Sequence, residues 1–183
     1  MTCEGFKLLG QYEKFPQIVH GTGSFTYKFP VEALQEVILQ VFHRLNRETY
    51  ELSDITHLPS SSRCEVSFEV GIAENVSFSF LDDEELGRFQ KSVQKDTLPF
   101  LDFFCVVRYH VIGTGGKRVP LKFDYYFLRF IFYQRDLELR IVHERGTQHI
   151  HLEDLVNFAI KQINDGLIKR KLETLGKRYL RTL

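Results

Sequence analysis

Apolar side chains at Val31, Leu34, Val37, Ile38, Val41, Phe42 and Leu45 recur every three or four residues, with Glu32, Gln35, Gln40 and Arg44 between them. That spacing predicts a helix with one buried face, and Pro30 suits its first turn. A strand is predicted just before it, over Ser24 to Phe29. From Thr49 to Arg63 the chain reads as a surface loop, because Ser53-Asp54 and Pro59-Ser60-Ser61-Ser62 favour turns. Apolar and polar residues then alternate from Cys64 to Val70 and from Val76 to Phe80, which predicts a hairpin turning at Ala73-Glu74-Asn75 with one wet face. Asp82 is placed to cap a helix over about Asp83 to Lys95, whose narrow stripe of Leu86, Phe89 and Val93 marks it as peripheral.

The stretch from Phe100 to Arg145 is dense in apolar and aromatic residues and breaks at Gly113-Thr114-Gly115-Gly116 and Arg135-Asp136, which predicts three long strands in a meander. In the middle strand Leu121, Phe123, Tyr125, Phe127 and Ile131 share one face, and Tyr126, Leu128, Phe130 and Phe132 the other. An antiparallel strand that is apolar on both sides needs two covers. The helices supply one, and the peripheral helix or a partner is expected to supply the second. Further on, Leu155, Val156, Ala159, Ile160 and Ile163 form the buried face of a helix from about Leu152 to Asp165, with Gly166 as its expected stop. Residues 167–183 read as a second amphipathic helix carrying Ile168, Leu172, Leu175 and Leu180. The expectation is one α+β domain spanning 1–183: a curled antiparallel sheet of about six strands, packed by an N-terminal and a C-terminal helix.

Composition narrows the class. The 183 residues are 43% hydrophobic and 26% charged, a globular balance, and the 24 basic and 24 acidic side chains cancel, so no global field draws the molecule to nucleic acid or an anionic membrane. Cys3, Cys64 and Cys105 are odd in number and far apart, giving neither a disulfide framework nor a zinc pattern. No run of about 18 apolar residues spans a membrane, and the first ten residues lack a signal-peptide core. The expected setting is a reducing compartment, cytosol or nucleus.

Within the neutral whole, charge is polarised. The segment from Leu167 holds Lys169, Arg170, Lys171, Lys177, Arg178 and Arg181 against Glu173, six positive and one negative, a net of +5 that leaves −5 elsewhere. These six are the candidates for binding a partner or nucleic acid, beside the plainer reading of a solvated helical face. His149 and His151 would project to one side if extended and are the candidate metal pair, a spacing that chance also gives. The glycine runs His20-Gly21-Thr22-Gly23-Ser24 and Gly113 to Lys117 read as turns, not phosphate loops. Arg108, His110, Asp124 and Arg129 fall inside apolar strands and need partners. Ion pairs are expected, or else a ligand cavity lined by Tyr109, His110, Tyr125 and Arg129. No catalytic residue and no cofactor is indicated. The pattern favours a non-enzymatic binding or assembly protein acting on a protein partner or on its own copies. The alternatives are a nucleic-acid-associated protein using the basic tail and an enzyme or carrier using that cavity.

Overall fold

A computed structural model describes residues 8–11, 14–57 and 62–183. In chain order its elements are β1 (Leu8–Gln11), β2 (Gly21–Thr26), α1 (Val31–Leu45), β3 (Thr49–Glu51), α2 (Leu52–Ile55), β4 (Cys64–Glu74), β5 (Ser77–Phe80), α3 (Asp83–Lys95), β6 (Phe100–Ile112), β7 (Arg118–Pro120), β8 (Asp124–Phe132), β9 (Asp136–Arg145), α4 (Leu152–Lys169) and β10 (Gly176–Thr182). The strands form one antiparallel sheet ordered β1-β5-β4-β6-β8-β9-β2-β10, with β3 added to β4 and β7 to β6. The α+β class and the curled sheet agree with the sequence pattern, and the meander β6-β8-β9 lies at the centre. Among the described residues the strands number ten where about six were expected, because β1, β3 and β7 are short and β10 arises where a helix was predicted.

The core lies between α1, α4 and one face of the sheet. Alternation puts Val66, Phe68 and Val70 of β4, Phe103 and Val107 of β6, Tyr126, Leu128 and Phe130 of β8, and Leu139 and Ile141 of β9 on that face. Phe42 of α1 stacks on Phe103 with centroids 4.4 Å apart and meets Phe130 edge-on at 5.4 Å. Two amides, the buried Gln35 and the half-buried Asn46, tie helix α1 to its surroundings. Gln35 donates to Leu98 O and accepts from Leu98 N–H, and Asn46, capping α1, donates to Val70 O and Leu81 O while accepting from Val70 N–H. Each amide is satisfied by backbone, the condition for burying one.

The peripheral helix does not supply the second cover. Asp82 caps α3 as expected, accepting from Glu85 N–H, but α3 packs against α1, where Asp83 meets His43 at 2.9 Å and Arg47 at 2.6 Å. The cover comes from the sheet itself. β4 curls past Gly71 and carries β5 over the second face, so that the Phe78 ring, 1% exposed, lies 5.5 Å from Phe104 and 5.6 Å from Phe127. Phe15, ahead of β2, lies under the Arg129 guanidinium at 4.7 Å.

Other predicted boundaries move for identifiable reasons. The hairpin turn falls at Asn75-Val76, with Asn75 at φ +55°, a left-handed value that asparagine tolerates. The expected loop from Thr49 contains β3 and α2, while its Pro59-Ser60-Ser61 lies outside the described residues. The first glycine run is strand rather than turn: a Cβ at Gly21 would stand 2.8 Å from Ile141 Cγ2, and one at Gly23 would stand 2.8 Å from Phe25 Cε2.

The C-terminal segment differs most. α4 continues through Gly166, whose missing side chain admits Val37 Cγ1 to 2.9 Å of the Cβ position, so this glycine permits a close helix crossing instead of ending the helix. The helix ends at Lys169 and the chain turns away at Lys171, φ +60°, where Lys171 N–H bonds Ile168 O and Leu172 N–H bonds Leu167 O, the paired bonds of a Schellman motif. Beyond that stop the chain is not an amphipathic helix: β10 pairs with β2, and Leu175 and Leu180 pack on the core.

The segment 167–183 thus contributes Leu167 and Leu175 to the core, while most of its other side chains are exposed. A chain ended after Asp165 loses the buried Leu167 and Leu175 side chains, about 3–6 kcal/mol at about 1.5–3 kcal/mol each. Urea denaturation of the shortened chain is expected to show this loss, and an unchanged midpoint would contradict the packing.

Candidate functional site

Two constellations hold the side chains that sequence reasoning singled out. The first is closed. Asp124 begins β8 with its carboxylate 0% exposed. It accepts from Tyr109 Oη at 2.7 Å, from the backbone N–H of Gln148 at 2.6 Å and of His149 at 3.1 Å, and its Oδ1 lies 3.0 Å from His143 Nε2. The His143 backbone N–H in turn donates to His20 Nδ1 at 3.0 Å. Burial by itself would raise the Asp124 carboxyl. The hydrogen bonds from Tyr109, Gln148, His143 and His149 outweigh burial and hold it below its ordinary value. Burial, with the neighbouring Tyr126 and Asp124, pushes the Tyr109 phenol far up. Gly146, at φ +123°, turns the chain tightly enough to deliver both amides; a Cβ there would overlap Asp124 Oδ1. An aspartate, a histidine and a tyrosine have the composition of an acid–base relay. Their burial makes this group a clasp joining β6, β8, β9 and the approach to α4.

The second constellation is open and lies on the other face of the sheet. Five rings run across it: Phe78, Phe104, Phe127, Tyr125 and Phe123. Phe104 lies 5.3 Å from Phe127 and 5.7 Å from Tyr125, and Tyr125 lies 5.6 Å from Phe123. Phe78 is sealed under β5, while the far end emerges at Phe123, 38% exposed, beside the exposed Leu121 and Val119. Arginines lie flat on this end, Arg108 over Phe123 at 4.7 Å and Arg145 over Tyr125 at 4.6 Å. Two of the arginines on this face are paired: Arg108 contacts Glu69 at 3.1 and 3.2 Å, and Arg129 holds Asp102 in a two-point bridge at 2.7 Å. The expected ion pairs for Arg108 and Arg129 are therefore present, whereas Asp124 is held by the hydrogen bonds of the first constellation. His110 is half-buried, and its Nδ1 has no hydrogen-bond partner among the described residues.

The proposed cavity of Tyr109, His110, Tyr125 and Arg129 does not form. Tyr109 faces the helices, while alternation turns the other three to the opposite face. His149 packs its ring on Tyr109 at 4.7 Å, and His151 is exposed at the N-cap of α4. Among the described residues no three His, Cys, Asp or Glu side chains group as a metal site. Cys64 and Cys105 are buried free thiols, with Cys105 pushed up to about 12 by burial and by Glu69.

The six basic residues at the C-terminal end are dispersed by the turn into β10. Arg170 pairs with Glu36 at 2.8 Å and reaches Gln40 at 3.0 Å, and Arg178 pairs with Asp136 at 3.0 Å. Lys169 and Lys171 stand at the end of α4, with Lys177 and Arg181 on β10. Sequence reasoning placed Phe123, Tyr125 and Phe127 on one face of the middle strand, but it singled out neither Gly146 nor the joining of Phe78 and Phe104 to those rings. Those two features carry no local signal, because each depends on distant strands meeting.

Replacing Asp124 with Asn, which keeps its shape but not its charge, is expected to cost about 2–4 kcal/mol by urea denaturation at pH 7. The folded-state carboxyl titrates below its unfolded value of about 3.9, so its contribution is complete above about pH 4 and is lost as pH falls through the folded value. The gap between wild type and Asp124→Asn should therefore close on acidification, and a gap that widens would contradict the clasp. No family model matches the chain, and neither a curated protein nor a solved structure matches it significantly.

Proposed function

We propose that this chain is a non-enzymatic binding or assembly protein that acts through protein–protein contacts on the second face of its sheet. The observation that carries the reading is the exposed end of the ring series, Phe123 and Tyr125 with Arg108 and Arg145 laid over them. Aromatic residues and arginine are enriched at the centres of interfaces, where they anchor partners. Here stacking already fixes the arginine planes, which reduces the side-chain ordering a partner must impose. Exposed Leu121 and Val119 extend the apolar area, and the opposed charges of Arg108 and Glu69 favour a partner of mixed charge, including another copy. A base-stacking role is less well supported, because Tyr126 is buried against the helices. The buried free thiols fit a reducing compartment, cytosol or nucleus.

Sedimentation equilibrium across a concentration series, paired with titration of the hydrophobic dye ANS, tests the reading on the full chain. The expected result is self-association or saturable dye binding that weakens about fivefold or more in the Leu121→Ser/Phe123→Ser variant, the effect of losing an interface anchor. A strict monomer that binds no dye would overturn it.

A further inference from the structure

The sheet ends at β10, whose one strand neighbour is β2, so among the described residues its outer edge has no pairing strand. Such an edge carries backbone donors and acceptors ready for another chain. The strand is Gly176-Lys177-Arg178-Tyr179-Leu180-Arg181-Thr182, exposed along its length except for the half-buried Leu180. Lys169, Lys171, Lys177 and Arg181 form no ion pair among the described residues, whereas Arg170 and Arg178 are engaged by Glu36 and Asp136. Arg181 lies 5.2 Å over the exposed Tyr179 ring, making a flat, cationic side to the strand. The edge is thus open in its backbone and positive in its side chains.

We propose that β10 accepts an extended acidic segment of another polypeptide by strand addition. The reading rests on the proposed role in protein binding but uses a surface separate from the aromatic face. Charge decides among occupants. A second copy added to this edge would bring two sets of the same unpaired cations, Lys177 and Arg181, to one seam across a strand already irregular between Lys177 and Tyr179, and like charges facing each other destabilise a strand pair. An acidic strand places carboxylates beside those same residues, while its amides complete the backbone ladder. Nucleic acid would satisfy the charges but not the row of peptide groups.

The probe is a fluorescein-labelled ten-residue peptide alternating Glu with Val and Thr, titrated into the full chain by fluorescence anisotropy. Three controls accompany it: the same peptide N-methylated at alternate amides, a Lys-for-Glu version, and oligo-dT of equal charge. The expected result is binding by the acidic peptide, no binding by the lysine version, and affinity weaker by about tenfold or more on N-methylation or in Lys177→Glu/Arg181→Glu. Hydrogen exchange should slow at the amides of 176–182 when the peptide is added, a change that loss of surface charge alone would not produce. Circular dichroism establishes that the charge-reversal variant is folded, and its ANS binding should match wild type, so failure here and failure of the aromatic face are read separately. Equal binding by the N-methylated peptide would overturn strand addition in favour of point charges. Binding by oligo-dT without the peptide would assign the edge to phosphate, and no binding by either would leave these cations as guards against edge pairing.

Discussion

A carboxylate shut away from water at the start of β8 ties together elements that are distant in sequence. Asp124 draws the Tyr109 hydroxyl from β6, the His143 ring from β9 and two backbone amides from the segment entering α4. A buried charge without such partners would cost several kcal/mol; with them it fixes the spacing of three central strands and the place where α4 begins. Because α4 forms one side of the core, and the chain beyond it supplies β10, the clasp also sets where the last strand reaches β2.

Around that clasp the sheet resolves the problem of being apolar on both faces. One face is filled by α1 and α4. The other is closed in part by the curl of β4, which lays Phe78 over Phe104 and Phe127, and by Phe15 against Arg129. The cover stops short of Phe123, and there the arginines lie on the rings. The surface left uncovered is therefore the continuation of a packed aromatic layer, which gives it rigidity that an isolated exposed phenylalanine would lack.

The α1 stripe, the Asp82 cap of α3, the hairpin and the three-strand meander were all legible in the sequence, because each rests on side-chain periodicity or capping chemistry within a short window. So was the need of Arg108, Asp124 and Arg129 for partners, since charges within apolar strands require them. Which partners they take was not legible, because Glu69, Asp102 and His143 are brought near by strand register. The grouping of Tyr109 with His110 failed on a local rule, as neighbours on a strand point to opposite faces.

The C-terminal segment separates local from tertiary control most clearly. Its leucine spacing and basic residues fit an amphipathic helix, and Gly166 looks like a stop. In the fold Gly166 lies against Val37, the helix ends instead at Lys169, and the open edge of β2 recruits 176–182 as a strand. The sequence by itself determined the composition of the layers, the central strands and the charge of this tail. Only the tertiary structure decided that the tail is a strand and where its cations lie, because an unpaired sheet edge offers backbone hydrogen bonds that outweigh a modest helix preference.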